Sequence, residues 1–288
     1  SLIHGDDCLD DIEEEFADDP SAMVFFKGKI PVAKTYGDFL RDFTDENIQE
    51  LNQFLTKMGY TIRDHLNESL PEKYKPKDKP YFAVDSTVHE QHGEKIEGCA
   101  YNYDGIWCLN SEVVFDEMGI AYAGILETGN TKPGKDGPKL LDQVLSPLQG
   151  EKLNSPHSKV AHVSGDSAYG FEEFIRTMQK YHVSFTIAAR RNIPWEPEVK
   201  NLEESWMEHK YTVDELLKLQ KRKKEPNQKF YARWHWSPSW ATNLFFPIII
   251  KKEWKSDSVF EGAGHWHYHA VITNEDLTKM SYQEVYSR

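Results

Sequence analysis

Two short apolar runs, far apart in the sequence, each end in an aspartate that is followed by small residues. They are YFAVDST at 81–87 and VAHVSGDSA at 160–168. Each run is too short for a helix and suits a buried strand, which would carry Asp85 or Asp166 at its carboxyl end. Two such carboxylates on adjacent strands form the oxygen-rich site that a hard divalent cation requires. The alternative is that each aspartate only caps the turn after its strand.

The composition is that of a globular protein with an uneven distribution of charge. Hydrophobic residues make up 39% of the 288, which is enough for a substantial core. No apolar run approaches the length that spans a membrane. The net charge of −13 argues against nucleic-acid binding at first sight. However, residues 1–20 hold nine acidic and no basic side chains, which leaves −4 for the rest, so global charge excludes no partner.

The three cysteines, Cys8, Cys99 and Cys108, form neither a CxxC motif nor an even-numbered set. This pattern favours structural thiols in a reducing compartment, and we expect a cytoplasmic location. The sequence shows no signal peptide. Because the chain opens at Ser1 rather than at Met, we expect it to be a piece of a longer protein.

The order of the predicted elements indicates the fold class. A three-stranded meander is followed by two helix–strand units, which gives the order β-β-β-α-β-α-β. The strands are predicted at 81–87, 106–115, 120–127, 160–165 and 183–189, and the helices at 138–148 and 171–181. This is the order of the ribonuclease H-like fold, an α/β mixed sheet with flanking helices. Its first and fourth strands are neighbours, which would place Asp85 beside Asp166.

We expect four segments along the chain. Residues 1–75 form a helical N-terminal region, with a helix from the N-cap Thr44 to Met58 and Gly59 as its C-cap. Residues 76–191 hold the first part of the α/β core. Residues 192–262 form an inserted β-rich subdomain with its own small core, because this region is dense in tryptophan. Residues 263–288 return to the main core and are truncated before its final helix.

Two capping-box signatures, at 212–215 and 281–284, predict the starts of helices. The first helix ends in a basic run. This basic run consists of Lys221, Arg222, Lys223 and Lys224. The second helix would begin near Tyr282 and has too few residues before Arg288 to be stable alone. The sequence therefore predicts a chain that is cut inside this element.

The chain resembles the DDE transposases of bacterial insertion sequences, which have a ribonuclease H-like (retroviral-integrase-like) fold. The motifs that carry the resemblance are VDST at 84–87, HGEKIEGCAYN at 92–102, GILETGN at 124–130 and SGDSAY at 164–169. The stretches GDDCLDD at 5–11 and TYGDFLR at 35–41 are similar to the region before the family's catalytic domain. Four motifs in the right order make the resemblance specific over nearly the whole length.

The resemblance implies a site and a reaction. Asp85 and Asp166 would be the first two catalytic acids, and both would bind Mg²⁺, for which Mn²⁺ may substitute. The third acid would be a Glu on the last helix, and it would lie beyond Arg288, since neither Glu275 nor Glu284 matches it. The partner would be double-stranded DNA, as element ends and target, and the active complex a homodimer. The reaction would be metal-dependent strand cleavage and strand transfer.

Several patterns have both a functional and a structural interpretation. The basic run either binds DNA phosphates or only solvates a helix end. The tryptophans after residue 192 either stack on an unpaired base or pack in a core. His89 and His92 either contact metal or DNA or lie on the surface. Three alternating histidines share one strand face, where neighbours are about 7 Å apart and hold one zinc ion poorly. They are His265, His267 and His269.

Two other functions stay open. One is a transposase-derived DNA-binding or scaffold protein without catalysis, and a Glu shortly after Arg288 would argue against it. The other is a plain metal-dependent nuclease. The inserted segment 192–262 and the family-like motif at 98–102 argue against a plain nuclease.

Overall fold

In the part of the chain that the computed structural model describes, ten strands form one mixed sheet with helices packed against it. The described residues are 20–25, 27, 32–93, 96–150, 161–190, 192–199, 202, 205–256 and 264–288. The motif at 5–11 lies outside them, and so does the first residue of the run at 160–168. Among the described residues, no helix is long and apolar enough to cross a membrane.

The strands and helices are numbered in chain order. The strands are β1 (Tyr81–Glu90), β2 (Ala100–Tyr101), β3 (Trp107–Asp116), β4 (Ala121–Thr128), β5 (His162–Gly165), β6 (Ser184–Ala188), β7 (Met207–Glu208), β8 (Lys229–Trp236), β9 (Phe246–Ser256) and β10 (Gly264–Thr273). The helices are α1 (Pro20–Phe25), α2 (Ala33–Arg41), α3 (Asp45–Ser69), α4 (Gly137–Leu145), α5 (Glu172–Lys180), α6 (Trp195–Glu198), α7 (Val213–Lys221) and α8 (Tyr282–Tyr286). Short 3-10 turns lie at Glu72–Tyr74, Ser146–Gly150 and Ser167–Tyr169.

The chain divides into two compact units, Ser1–Phe54 and Leu55–Arg288. In the first unit, the rings of Phe39 and Phe43 meet edge to face with their centroids 5.1 Å apart. At the start of α3, Thr44 Oγ1 accepts a hydrogen bond from the backbone N–H of Asn47 at 3.4 Å. This is the bond expected of an N-cap.

The sheet of the second unit has the strand order β2-β3-β1-β5-β6-β10-β9-β8-β7, with β4 also paired to β3. β1 is antiparallel to β3 and parallel to β5, and β5 is parallel to β6. The predicted mixed α/β class is confirmed, and the order β4-β3-β1-β5-β6 is compatible with a ribonuclease H-like DDE fold. β5, the parallel neighbour of β1, corresponds to the fourth strand in the predicted order β-β-β-α-β-α-β.

β1 is longer than the sequence predicts, so Asp85 lies within the strand and not at its end. The strand continues to Glu90 because its antiparallel pairing with β3 extends from Phe82 to Glu90. The parallel pairing with β5 stops at Val84, opposite Gly165. Asp85 therefore lies where the shorter neighbouring strand ends, and that leaves its side chain exposed.

In the described part of segment 192–262, the strands belong to the main sheet and several tryptophans pack against the main core. Strands β8 and β9 extend the main sheet through β10, which pairs with β6. Ile248 and Ile250 belong to the same core cluster as Phe82 and Val163. Because β10 pairs with β6, β9 with β10 and β8 with β9, the main sheet and the core packed against it extend into this segment.

The centre of β9 is buried on both faces of the sheet. Ile248, Ile249 and Ile250 are consecutive and all wholly buried, although alternate residues of a strand face opposite sides. Ile249 belongs to a second cluster with Tyr231, Val271 and Val285. Helix α8 supplies Val285, which covers the face opposite the main core.

Both predicted capping boxes are confirmed. The Thr212 and Ser281 side chains each accept from the N3 backbone N–H, and Glu215 and Glu284 bond back to the N-cap N–H. Helix α8 is as short as expected, yet it is held in place because Val285 packs against the sheet. Tertiary packing rather than intrinsic helix stability therefore fixes this helix.

Gly59 is not the C-cap of α3, because the helix continues to Ser69. A Cβ atom at this position would lie 2.8 Å from the ring of Tyr122. Glycine is required here because the helix approaches β4 closely. The sequence alone had indicated that Gly59 ends the helix. In the same stretch, Thr56 Oγ1 donates to the carbonyl oxygen of Tyr122 at 2.9 Å.

Arg63 of α3 fixes the helix to the β3–β4 hairpin. Its Nη1 donates to Asp116 Oδ2 and its Nη2 to Glu117 Oε1, each at 2.8 Å. Arg63 and Asp116 are both buried. Asp116 Oδ2 also accepts from the Tyr122 hydroxyl at 3.1 Å, so the carboxylate is well satisfied. This is a buried ion pair with its hydrogen bonds made.

Candidate active site

Asp85 and Asp166 follow the last aligned residue pair of two adjacent parallel strands. Val84 is aligned with Gly165, so each aspartate is one residue further along its chain. Neighbouring strands lie about 4.8 Å apart, which places the two backbones next to each other at this edge. Both aspartates are exposed. The structure thus brings together the two carboxylates that the sequence predicted to be neighbours.

Each carboxylate is oriented by one hydrogen bond from a nearby backbone N–H. Asp85 Oδ1 accepts from Ser86 N at 2.9 Å, and Asp166 Oδ1 accepts from Ala168 N at 2.7 Å. Asp166 therefore does cap the 3-10 turn at Ser167–Tyr169, as the alternative interpretation proposed. In the described part of the chain, Oδ2 of neither aspartate has a hydrogen-bond partner, so capping leaves an oxygen for another role.

Tyr169 connects the turn after Asp166 to strand β1. Its side chain is wholly buried, and its hydroxyl lies 3.2 Å from Ser86 Oγ, next to Asp85. Burial raises the pKa of Tyr169. The tyrosine therefore ties the turn after Asp166 to the strand that carries Asp85.

Glu112 and Glu127 are carboxyl groups buried behind the site. Burial raises the pKa of Glu112, while its Oε2 accepts a weak hydrogen bond from Asp136 N at 3.3 Å. Burial, followed by a hydrogen bond with Asp136, raises the pKa of Glu127 from 4.5 to about 8. Glu127 is therefore mostly protonated at neutral pH.

We expect Glu127→Gln to reduce the pH dependence of stability. A carboxyl group with a raised pKa binds more protons in the folded chain than in the unfolded chain. The free energy of unfolding should therefore fall as pH rises from about 5 to 8 in the wild type. The variant, which does not titrate, should show a flatter profile in urea denaturation at pH 5, 6, 7 and 8.

Glu90→Gln is the matched control, because Glu90 is an exposed glutamate on β1. Its profile should follow that of the wild type. Parallel profiles for Glu127→Gln and the wild type would contradict the assignment of a protonated Glu127.

No third metal ligand joins the pair among the described residues, where no group of three His, Cys, Asp or Glu side chains is placed to hold a metal ion. Glu275 Oε1 pairs with His162 Nδ1 at 3.1 Å and with Arg288 Nη1 at 2.5 Å. Burial alone would raise the pKa of Glu275, but these partners and Ser184 lower it to about 2. His162 begins β5 and Asp166 follows its end, so Glu275 lies at the opposite end of that strand.

The carboxylate of Glu284, the other candidate acid, also has hydrogen-bond partners within the protein. Glu284 Oε2 accepts from the backbone N–H and the hydroxyl of Ser281, at 2.8 and 2.7 Å. These bonds are those of the capping box that starts α8. Glu275 and Glu284 were not assigned to the predicted triad, and both carboxylates have structural partners elsewhere.

The histidines singled out from the sequence have other neighbours. His89 Nε2 lies 2.7 Å from Ser111 Oγ on β3. His269 Nδ1 lies 2.6 Å from the hydroxyl of Tyr286 on α8. His265 and His267 are exposed on β10, and no described group of metal-binding side chains includes them.

The basic run lies at the end of α7 and is fully exposed. Arg222 and Lys224 line a groove of about 1060 Å³, together with the aromatic side chains of Tyr211, Trp254 and Trp266. The rings of Trp254 and Trp266 meet edge to face with their centroids 5.3 Å apart. Five of the other tryptophans after residue 192 belong to the main core or pack against it. They are Trp195, Trp206, Trp234, Trp236 and Trp240.

The complete chain, residues 1–288, matches the family model described as the transposase DDE domain, group 1. The chain belongs to the DDE transposase family. The resemblance inferred from the sequence motifs is thereby confirmed. A search of curated proteins finds no match. Membership of the DDE transposases indicates an enzyme that cleaves nucleic acid and has DNA as its substrate.

Sequence reasoning missed three residues that support the two aspartates of this DDE transposase domain. Arg190 Nε donates to the Ser167 carbonyl oxygen at 2.9 Å and so fixes the turn after Asp166. Glu112 occupies a buried position of the alternating strand β3, and an acidic residue at a core-facing position was the available signal. Tyr169 lies within the SGDSAY motif, but no sequence pattern indicated its contact with Ser86.

Proposed function

We propose that this DDE transposase domain performs DNA strand cleavage and strand transfer at the ends of a bacterial insertion sequence. The observation that carries the proposal is the placement of Asp85 and Asp166 beyond the last aligned pair of two parallel strands. The family match over the whole chain supplies the reaction class. In this reaction, water or a DNA 3′-hydroxyl attacks a phosphodiester in line with the leaving oxygen.

The donor set fits a divalent cation. Asp85 and Asp166 offer only oxygen atoms, both side chains are exposed, and hard cations such as Mg²⁺ prefer oxygen ligands. These two residues would hold Mg²⁺, or Mn²⁺ in its place. When bound, the ion supplies Lewis-acid activation of the attacking oxygen and neutralises charge on the leaving oxygen.

The contribution of the protein to this site is orientation. Backbone N–H groups hold Oδ1 of each aspartate, and Oδ2 has no hydrogen-bond partner among the described residues. Tyr169 and Arg190 fix the turn that carries Asp166, which restricts the motion of its carboxylate relative to Asp85. A site held in this way loses little entropy when the substrate binds.

The third acid is proposed to be a Glu that follows Arg288 in the full-length protein. The contacts of Glu275 and Glu284 support this proposal, because both carboxylates have structural partners elsewhere. We further propose a ribonuclease H-like core formed by 76–191 and 263–288 and interrupted by segment 192–262. The active complex would be a homodimer on double-stranded DNA in the bacterial cytoplasm.

A cleavage assay with the full-length protein on DNA that carries the element's own ends tests this function. The expected result is Mg²⁺-dependent nicking at the element boundary, with no product in EDTA. DNA binding without cleavage in Mg²⁺ or Mn²⁺ would favour the alternative, a transposase-derived DNA-binding or scaffold protein without catalysis.

The basic run is proposed to contact DNA beside the aromatic groove. Replacing Lys221, Arg222, Lys223 and Lys224 with glutamine should raise the Kd for DNA and flatten its salt dependence. Each lost phosphate contact removes about 0.9 from the magnitude of the slope of log K against log salt. Fluorescence anisotropy over a series of KCl concentrations measures this slope.

The control for the basic run is Lys57→Gln, since Lys57 is an exposed lysine on α3. It should leave the slope at the wild-type value. An unchanged slope in the fourfold variant would mean that the basic run only solvates the end of α7.

A further inference from the structure

The carboxyl ends of four parallel strands lie at one edge of the sheet. β3 is antiparallel to both β4 and β1, while β5 and β6 run parallel to β1. The loop after β4, Asp85, Asp166 and Arg190 therefore come to the same edge. In open α/β sheets this is the edge at which ligands bind.

A groove of about 610 Å³ opens at this edge, beside the candidate active site. The loop 128–135 forms one side, and residues at the start of α5 and after β6 form the other. The groove is lined by the positive side chains of Lys132, Lys135 and Arg190, the hydroxyl-bearing Thr131 and one carboxylate, Glu173. Its lining therefore has an excess of positive charge.

The groove shares a wall with the turn that Asp166 caps. Gly134 has a φ of +84°, and a Cβ atom there would lie 3.2 Å from the carbonyl oxygen of Ala168. Arg190 donates to the carbonyl oxygens of Ser167 and Ala168 from the other side. A strand of DNA that reaches Asp166 would therefore pass along this groove.

The three cations have no close carboxylate partner among the described residues. Lys132 is exposed and forms no ion pair there. Lys135 Nζ is 3.9 Å from Asp136 Oδ2, at the outer limit of an ion pair, and the Lys135 side chain is 66% exposed. Arg190 donates to neutral carbonyl groups. Their positive charge is available to an anionic ligand.

We propose that this groove binds the phosphodiester backbone of the DNA strand that is cleaved at Asp85 and Asp166, with Lys132 and Lys135 contacting successive phosphates. The proposal rests on the proposed function, because it names the surface that delivers the substrate to that site. It is independent of the basic run at 221–224, which begins at the last residue of α7. Lysine is suited to this role because its flexible ammonium group follows a phosphate as a point charge.

The test compares the double variant Lys132→Gln/Lys135→Gln with Lys139→Gln in the full chain. Lys139 is an exposed lysine of α4 that does not line the groove. Binding to element-end DNA is measured by anisotropy in EDTA over a KCl series, so that no cleavage occurs. Loss of two phosphate contacts should reduce the magnitude of the slope by about 1.8 and raise Kd roughly thirtyfold at 0.15 M salt. Lys139→Gln should match the wild type.

A wild-type slope and Kd in the double variant would overturn the proposal. Lys132→Gln alone guards against a folding effect, because Lys132 has no ion pair to lose among the described residues, and it should reduce the slope by about 0.9. Failure of the proposed function would look different. The wild type would then bind element-end DNA without cleaving it in Mg²⁺, whether or not the lysines alter the binding slope.

Discussion

Asp85→Asn and Asp166→Asn should each abolish DNA cleavage by the full-length protein while leaving its fold intact. Each change removes one of the two carboxylates proposed to bind the metal, at the edge where β5 ends beside β1. We expect a loss of at least roughly 10²–10³-fold, the range for removal of one charge-stabilising group from an active site. Both side chains are exposed, and neutralising one relieves repulsion between them, so the melting temperature should not fall.

The matched control is Asp104→Asn, a change of the same chemistry at an exposed aspartate in the loop between β2 and β3. It should cleave at the wild-type rate. Cleavage is measured as product formed per minute on labelled element ends at saturating Mg²⁺. Wild-type cleavage by either Asp85→Asn or Asp166→Asn would remove that aspartate from the proposed site.

The second large effect concerns stability. Arg63→Met should reduce the free energy of unfolding by about 3–5 kcal/mol, because it leaves the buried Asp116 carboxylate without its charged partner. Only 8% of the Arg63 side chain and none of the Asp116 carboxylate is exposed. Urea denaturation followed by circular dichroism measures the change.

Arg41→Met is the control for this prediction, since it breaks an ion pair whose N–O distance is shorter than that of Arg63–Asp116 but whose side chains are exposed. Arg41 Nη2 lies 2.5 Å from Asp38 Oδ1, with side chains 70% and 55% exposed. Its cost should be below about 1 kcal/mol, as for surface pairs generally. The double variant Arg63→Met/Asp116→Asn should cost less than the sum of its two single changes. Additive costs would show that the pair does not act as a unit.

The order of strands and helices could be predicted from the sequence because apolar periodicity changes clearly between strands and helices. The meander, the two crossover helices and the adjacency of Asp85 and Asp166 all follow from that order. Both capping boxes were predictable because the bonds are local, between residues three apart. These features depend on neighbours in sequence, which a pattern records.

The features that the sequence did not predict depend on contacts between distant residues. Gly59 looks like a helix end until Tyr122, on β4, is placed against it. The length of β1 beyond Asp85 is set by pairing with β3, and the continuous sheet through β10 is set by pairing with β6. The contact of Tyr169 with Ser86 likewise joins β1 to the turn after β5, which is distant in the sequence. Single-sequence patterns carry little information about such partners.

The pairing of β6 with β10 has a consequence for how this architecture tolerates change. The chain leaves β6 after Ala188, forms β7, β8 and β9 further along the sheet, and returns in β10 to pair Val271 with Ala188. Ala189 N donates to the Ala270 carbonyl oxygen at 2.8 Å. The two ends of this long excursion are thus one hydrogen bond apart. The entropy of closing a loop grows only with the logarithm of its length. Residues added at an exposed turn of the excursion, such as 223–228, would therefore change the size of the protein while the edge that carries Asp85 and Asp166 keeps its dimensions.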